Sequence, residues 1–283
     1  MSNIKILSIV ASVILLVGII GSVLTYTSAK SNQGWEKEER SFGNEVMNID
    51  IQSSNTNVEV MSTDGQDITL EYNARNIDDQ LTAEVTDQTL TIQIQDKSNK
   101  WFNFGLFLPE RTLKVFVPQK SYHHLKIEND NGHIELNNFQ GERIILNNDN
   151  GKVDMTHVEG SIIEADLDNG QVGLEHVLAD EVNVNTSNGR IVLTDVEANI
   201  TGKTNNGSIL LETVALDKEV DFYTDNGRIK IKTEQKPTNA ILDLRVDNGR
   251  INVFGESNWD TVFGEGEHLI KLVTNNGGIT IEN

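Results

Sequence analysis

The stretch Ile144-Ile145-Leu146-Asn147-Asn148-Asp149-Asn150-Gly151-Lys152-Val153-Asp154-Met155 decides the fold, because its frame recurs along most of the chain. Each copy is centred on an Asn-Gly pair, and successive pairs are 19, 19, 19, 18, 20, 22 and 28 residues apart. A period of about 20 residues is typical of stacked repeat units. The eight pairs are Asn131-Gly132, Asn150-Gly151, Asn169-Gly170, Asn188-Gly189, Asn206-Gly207, Asn226-Gly227, Asn248-Gly249 and Asn276-Gly277.

Apolar residues flank every pair with the periodicity of a strand. They lie six and four residues before the Asn and three and five residues after it, with a third apolar position eight residues after it in several copies. This alternation predicts a strand, a turn and a second strand in each unit. We expect the Asn-Gly pairs to be structural turns, in which a type I′ or left-handed geometry requires a positive φ at glycine.

Two folds fit this pattern. Asn-Gly between alternating strands is the strongest short hairpin signal and would give antiparallel meanders. A β-solenoid also explains why the same residue types recur, because equivalent residues stack about 4.8 Å apart in successive coils. The recurring frame favours an all-β solenoid with about 19–20 residues per coil. It places one interior column at Ile134, Val153, Val172, Ile191, Ile209 and Ile229.

Composition excludes several classes of function. The chain has 283 residues, no cysteine and a formal net charge of −20. Such acidity argues against nucleic acid as a partner, because phosphates would be repelled, and it disfavours adsorption to anionic lipid through charge. Without cysteine there is no disulfide, no thiolate zinc site and no cysteine for a lipid anchor.

The chain begins with an apolar segment, because residues 6–26 carry no charge. That length crosses a bilayer as a helix. The alternative is a cleaved signal peptide with a small-residue site at 27–29, but signal cores usually have about 7–15 residues, which favours an uncleaved single-pass anchor. The charge count does not support a cytoplasmic N-terminus; the short N-terminal flank favours it nevertheless, with the β region outside the cytoplasm. The charges counted are one basic residue before the segment, Lys5, and three after it, Lys30, Lys37 and Arg40.

The rest of the chain divides by its pattern. Residues 1–29 are the predicted transmembrane anchor, 30–41 a polar spacer, 42–122 an irregular β region and 123–283 the solenoid repeats. Within the irregular region, Asn55-Thr56-Asn57-Val58 looks like a degenerate turn of the later array. We expect this region to cap the solenoid, because an end coil otherwise exposes its apolar interior and unpaired strand edges.

An aromatic cluster in the irregular region is a candidate interaction site. It consists of Trp101, Phe102, Phe104 and Phe107. These side chains would form an exposed loop for a partner or for lipid, or they would plug the end of the solenoid. The second interpretation is favoured, because large exposed apolar patches are rare on stable soluble domains.

Two polar columns of the array are candidate cation sites. One is the residue before the Asn, which is acidic at Asp130, Asp149, Asp168, Asp225 and Asp247. Such a column could bind Ca²⁺, but Asp also braces turns, and the Gly-Gly-x-Gly-x-Asp pattern of calcium-binding repeats is absent. The other column holds His157 and His176 with Asn138 and Asp195, where a transition metal would lack an enclosing shell. We therefore expect no metal and no other cofactor.

A third column, two residues before the Asn, is rich in Asn and Thr and should face inward. It is expected to form a structural ladder of hydrogen bonds between coils. Motifs of catalysis are missing, since the sequence has neither Gly-x-Ser-x-Gly nor His-Glu-x-x-His. The run at 264–268, Gly-Glu-Gly-Glu-His, lacks phosphate-loop spacing. The chain is therefore predicted not to be an enzyme, and no catalytic residue is assigned.

The chain resembles a bacterial adhesin-type domain of unknown function over residues 42–283. The resemblance rests on the apolar N-terminal segment, on the serial Asp-Asn-Gly-x-Ile-x-Leu frame, and on the segments Trp101-Phe102-Asn103-Phe104-Gly105 and Arg111-Thr112-Leu113-Lys114-Val115-Phe116-Val117-Pro118. Some members are LiaG-like membrane-anchored proteins of Gram-positive bacteria that are associated with cell-envelope stress systems. The resemblance implies a single-stranded right-handed β-helix without catalytic residues.

These observations support three functional hypotheses. The first is a membrane-anchored, extracytoplasmic, adhesin-like module that binds another envelope protein or a cell-wall polymer. The second is an accessory component of a cell-envelope stress signalling system. The third is a carbohydrate-active β-helix enzyme, which would need clustered acids on one face of its coils.

Overall fold

The computed structural model describes residues 36–74, 79–96, 111–256 and 261–283, and these residues are all-β. None of them forms a helix that could span a membrane. The predicted anchor, with residues 6–26, and the aromatic cluster at 101–107 lie outside the described residues. The strands are β1 (Glu36–Phe42), β2 (Asn48–Ser53), β3 (Asn57–Thr63), β4 (Ile68–Ala74), β5 (Asp79–Thr86), β6 (Thr89–Asp96), β7 (Arg111–Pro118), β8 (Ser121–Asn137), β9 (Gln140–Thr213), β10 (Val220–Thr233), β11 (Ala240–Val253), β12 (Val262–Phe263) and β13 (His268–Glu282).

The repeats stack in parallel, as the solenoid prediction requires. Val153 in β9 pairs with Ile134 in β8, and Leu146 pairs with Ile127, so the two strands that flank Asn150-Gly151 do not form a hairpin with each other. Further along, Ile229 in β10 pairs with Ile209 in β9. All six residues of the predicted interior column are fully buried: Ile134, Val153, Val172, Ile191, Ile209 and Ile229. The parallel solenoid is confirmed, and the hand of its coil stays a prediction.

Each coil bends at its Asn-Gly pair. Buried positions lie two residues before the Asn and three after it, as at Asn148 and Val153, so the two-residue alternation shifts by one at the pair. A further apolar position, eight residues after the Asn, closes the interior at Phe139, Val158, Val177 and Val196. Val214 was expected in the same role but is 47% exposed, and Leu216 is buried instead. The longer connection to the next coil accounts for this shift.

A second corner lies seven residues after the Asn. The residues there have left-handed backbone conformations, with φ between 52° and 54° at Asn138, His157, His176 and Asp195. Asn, Asp and His are the non-glycine residues most often found in this region of φ/ψ space. Corner geometry therefore explains the residue types of the histidine column.

The first coil of the solenoid is built from β2 and β3. Both strands pair in parallel with β8, and Asn55 takes the place of the repeated Asn. The prediction of a degenerate turn at Asn55 is thus confirmed, and the stack begins at β2 rather than at residue 123. Next, β6 and β7 pair with β2 and β3, and β4, β5 and β1 close this end with antiparallel pairs.

Part of the predicted spacer is a strand. Residues 36–41 belong to β1, which pairs antiparallel with β4. The charged side chains that suggest a linker are accommodated at the sheet edge, where Lys37 lies 3.4 Å from Glu71 and Arg40 donates a hydrogen bond to the carbonyl of Leu81. Charged side chains are a common feature of edge strands, because they discourage pairing with other chains.

The last coils do not follow chain order. β13 lies between β10 and β11 and pairs in parallel with both. The spatial order of the repeated Asn residues is therefore Asn226, Asn276 and Asn248. β11 forms the outermost coil at this end, and β12 pairs only with Ala240 and Ile241 of it.

Candidate functional site

The repeated Asn residues form one continuous ladder of side-chain hydrogen bonds. In each coil the Nδ2 atom donates to the Oδ1 atom of the Asn in the neighbouring coil, over 2.8–3.1 Å. The ladder runs from Asn55 to Asn248 and uses the repeated position of all nine coils described. Identical amides stacked in register satisfy each other in this way. The Asn positions therefore hold the stack together.

The Gly positions are required by close approach between coils. A Cβ atom added to Gly151 would lie 2.0 Å from the carbonyl oxygen of Gly132, and one added to Gly189 would lie 1.6 Å from that of Gly170. The expected positive φ is present at four of the glycines, with +132° to +158° at Gly132, Gly151, Gly170 and Gly277. Their Asn neighbours have negative φ, so these pairs do not form type I′ turns. Each pair lies at a bend between stacked strands and not in a hairpin loop.

The inward column two residues before the Asn is a ladder only in part. Asn129 Nδ2 donates to Asn148 Oδ1 over 3.2 Å, as predicted. Two of its threonines bond to backbone instead: Thr224 Oγ1 donates to the carbonyl of Gly207 and Thr274 Oγ1 to that of Gly227. The buried hydroxyls of Thr186 and Thr204 have no hydrogen-bond partner among the described residues. This column is structural.

A polar groove runs along the solenoid beside the acidic column. It has a volume of about 430 Å³ and crosses four successive coils. Its walls are the residues one and three positions before the repeated Asn, which face outward because the residue between them faces inward. A smaller depression of about 280 Å³, near Glu128 and Asp130, lies on the same two columns. The groove is lined by Asn147, Asn148, Asp149, Asp166, Leu167, Asp168, Asn185, Thr186, Ser187, Lys203 and Asn205.

Most polar groups of the groove are not engaged by the protein. Asn185 Nδ2 donates to Asp166 Oδ1 over 2.7 Å. Among the described residues, the side chains of Asp149, Asp168 and Lys203 have no hydrogen bond or ion pair. Ionised carboxylates accept hydrogen bonds only. A partner in this groove would therefore need to bring hydroxyl, amide or ammonium donors to Asp149 and Asp168.

The histidine column is assembled as predicted but is open to solvent. The rings of His157 and His176 stack with centroids 4.9 Å apart, and His176 Nδ1 lies 2.7 Å from Asp195 Oδ2. Asp195 is half exposed. Within the described ranges, no group of three or more His, Asp or Glu residues is placed to hold a metal ion.

Another carboxylate, four residues after the repeated Asn150, is held by an ion-pair cluster. Asp154 lies 2.7 Å from His133 Nε2 and 2.6 Å from Lys152 Nζ. Burial would raise the pKa of Asp154, but hydrogen bonds from His133 and Lys152 outweigh it and lower that pKa. A carboxylate that is kept ionised in this way braces neighbouring coils and is unsuited to act as a general acid.

The groove was not predicted from the sequence. The pattern identified the acidic column, including Asp149 and Asp168, but the residues three positions before the Asn share no residue type: Asn147, Asp166 and Lys203. Their common feature is an outward side chain next to a bend, which appears only when the coils are stacked.

The fold is similar to that of several solved structures. A candidate adhesin from Parabacteroides distasonis has a TM-score of 0.50 at 13% identity, covering 88% of this chain and 98% of its own. A candidate adhesin from Bacteroides fragilis has a TM-score of 0.47 at 17% identity, covering 88% and 97%. A candidate lipid-binding protein from P. distasonis has a TM-score of 0.48 at 17% identity, covering 89% and 98%.

The comparison with curated proteins finds no match. A family model, in contrast, matches almost the whole described region, from residue 46 to residue 282. That model is the Toastrack DUF4097 domain, and its range includes every described strand except β1. The chain therefore belongs to the Toastrack DUF4097 family.

Proposed function

We propose that this chain is a non-enzymatic binding module of the cell envelope, held at the membrane by its N-terminal segment, and that the polar groove is its contact surface. The observation that carries the proposal is the set of uncommitted polar groups in the groove. A groove that crosses four coils presents a row of hydrogen-bonding groups to an elongated partner. Rigid solenoids commonly use such extended surfaces for binding.

The chemistry of the groove favours binding over catalysis. Glycoside hydrolysis needs a carboxylic acid with a raised pKa opposite a second carboxylate. Asp149 and Asp168 occupy equivalent positions of adjacent coils in one column, so they line the same wall, and Asp166 on the other wall is already engaged by Asn185 Nδ2. Membership of the Toastrack family and the adhesin descriptions of structural neighbours agree with a binding role.

The test is co-sedimentation of the full chain, kept in a non-ionic detergent, with insoluble cell wall purified from a Gram-positive bacterium. Asp149→Asn combined with Asp168→Asn should lower the bound fraction several-fold, because the groove loses two of its three carboxylates, the two that no described residue engages. The matched control is Glu181→Gln combined with Asp217→Asn, which removes the same charge from exposed positions outside the groove. Equal loss in both double variants would show that net charge, and not the groove, governs binding.

The signalling hypothesis is the second candidate. It would be favoured if capture of the intact membrane form from its own cells recovered a membrane sensor protein whose recovery survives the groove substitutions. Topology can be tested in the same cells. Because the chain has no cysteine, Asp217→Cys gives a single exposed thiol. Labelling of that thiol by an impermeant maleimide in whole cells is expected, and protection until lysis would contradict the extracytoplasmic placement.

A further inference from the structure

The outermost coil of the solenoid has a free strand edge. Strand β11 pairs with β13 on one side. On its other side, Leu242 N–H donates to the carbonyl of Thr261 over 2.8 Å, and Val253 is bridged to Glu256. Between these two points, residues 245–252 pair with no other strand in the described part of the chain. An edge of this kind is a template for another β-strand.

The interior of the solenoid is partly open at the same place. Leu244, Val246 and Ile251 are only half-buried, whereas residues at the same positions of the neighbouring coil are fully buried. Those equivalents are Leu272, Thr274 and Ile279. A free edge beside open apolar side chains marks an association surface.

The repeat frame makes this edge complementary to itself. Inward positions lie two residues before Asn248 and three after it, so they are symmetric about the Asn248-Gly249 bond. In an antiparallel pair centred on that bond, Val246 lies opposite Ile251 of a second copy, and both face the interior. A shift of one residue would place inward side chains opposite outward ones, which the alternation of a strand forbids.

Charge agrees with the same register. Asp247 and Arg250 are exposed, and neither has a hydrogen bond or ion pair among the described residues. The antiparallel pair places Asp247 opposite Arg250 of the second copy, and two-fold symmetry repeats this contact. Opposite charges directly across strands stabilise a pair, and like charges destabilise it.

The outer strands at the other end of the solenoid are β1 and β5, each of which pairs with one described strand only. The charged side chains of β1 are paired with each other: Lys37 with Glu39 and Arg40 with Glu38. A head-to-tail stack of molecules would need that edge to accept β11. Two copies of the β11 edge are more complementary to each other than the β11 edge is to β1, and two-fold dimers are the commonest homo-oligomers.

We propose that β11 is the interface of an end-to-end homodimer, in which residues 245–252 of two copies pair antiparallel about a two-fold axis at Asn248-Gly249. The interface joins the two solenoids through continuous sheet, seals the apolar interior of both ends, and forms two Asp247–Arg250 ion pairs. It does not depend on the groove or on its ligand.

The test is the dimer dissociation constant of the full chain in non-ionic detergent, measured by sedimentation equilibrium without any envelope ligand. Asp247→Arg and Arg250→Asp should each weaken dimerisation about tenfold, because either change turns two attractive contacts into two repulsive ones. The two changes together should restore the constant to within about threefold of wild type, since the exchanged charges again face their opposites.

Arg228→Asp is the matched control, because Arg228 holds the same position as Arg250 in an inner coil and is also exposed. It should leave the dissociation constant unchanged. A full chain that is monomeric at its highest soluble concentration would overturn the proposal. A dimer that is weakened equally by Arg228→Asp, or that the double reversal fails to rescue, would overturn the antiparallel register.

Discussion

The reason for glycine in each repeat can be separated experimentally into close approach and backbone conformation. Gly189 tests close approach alone. A Cβ there would lie 1.6 Å from the carbonyl oxygen of Gly170, whereas φ of Gly189 is outside the left-handed range. Gly255 tests backbone conformation, since its φ is +81° but no described residue other than its chain neighbours lies within 4 Å of an added Cβ. Gly278 provides a milder comparison, with its nearest contact at 3.3 Å from Arg250.

Gly189→Ala should be the most costly of the three substitutions. Real Cβ atoms keep at least 3.0 Å from such neighbours, so the two coils must separate by more than an ångström. Overpacking of this kind costs about 1–3 kcal/mol. The separation also strains the ladder bonds of Asn188, to Asn169 and from Asn206, each of which contributes about 0.5–1.5 kcal/mol. We expect a loss of about 3 kcal/mol, which corresponds to a fall in Tm of about 6–12 °C for a domain of this size.

Gly255→Ala should cost about 1 kcal/mol, the usual penalty for a left-handed alanine, and Gly278→Ala should cost less than that. Thermal unfolding of the full chain in detergent, followed by circular dichroism, ranks the three variants. Hydrogen exchange should show the loss of protection centred on coils adjacent to Gly189, because each coil contacts only its neighbours. If Gly189→Ala proves no more damaging than Gly255→Ala, close approach does not explain the need for glycine at position 189.

Four further outcomes are expected from unfolding of the full chain. Asn169→Ala removes two ladder bonds and should lower stability by about 1–3 kcal/mol, so an unchanged Tm would show that the ladder is dispensable. Thr186→Val replaces a buried hydroxyl that has no partner among the described residues and should leave Tm equal or higher, whereas a clear fall would show that the hydroxyl stabilises the fold. Burial raises the pKa of Tyr122 above its ordinary value of 10.0. The contribution of its neutral phenol to the free energy of unfolding is therefore complete below pH 10 and is lost as pH rises further. Urea unfolding at increasing pH should find this alkaline loss reduced in Tyr122→Phe. Millimolar calcium should not raise Tm beyond a magnesium control at equal ionic strength, and a calcium-specific rise that disappears in Asp149→Asn with Asp168→Asn would establish a cation site.

Much of the fold could be predicted because stacking imposes the same demands on every coil. The interior column from Ile134 to Ile229 and the degenerate coil at Asn55 follow from periodicity, since a residue that is buried in one coil is buried in the next. The reason for glycine could not be predicted in the same way. In the sequence, Asn-Gly is a local signal, but the atom that excludes a side chain at Gly189 belongs to the coil before it.

The spatial order of the last coils could not be predicted from the sequence either. β11 and β13 carry the same frame around Asn248-Gly249 and Asn276-Gly277, so either could follow β10. In the structure β13 follows β10. Asn275, and not Asp247, is therefore the neighbour of Asp225, and Asn275 Nδ2 donates to Asp225 Oδ1 over 2.8 Å. The groove was missed for a related reason, because its walls are defined by position relative to a bend and not by residue type.

The insertion of β13 between β10 and β11 has a consequence for biogenesis. A ribosome makes β11 before β13, yet β11 makes its parallel pairs with β13. Native growth from the N-terminal coils can therefore proceed in step with synthesis only as far as β10, and the native order of the last coils must wait for residues 268–282. Until then β10 and β11 both lack their native partner, and such intermediates are prone to aggregation. Incomplete chains that end before residue 268 should therefore be degraded preferentially by proteases. The insertion of β13 thus allows only completely synthesised chains to reach the protected fold.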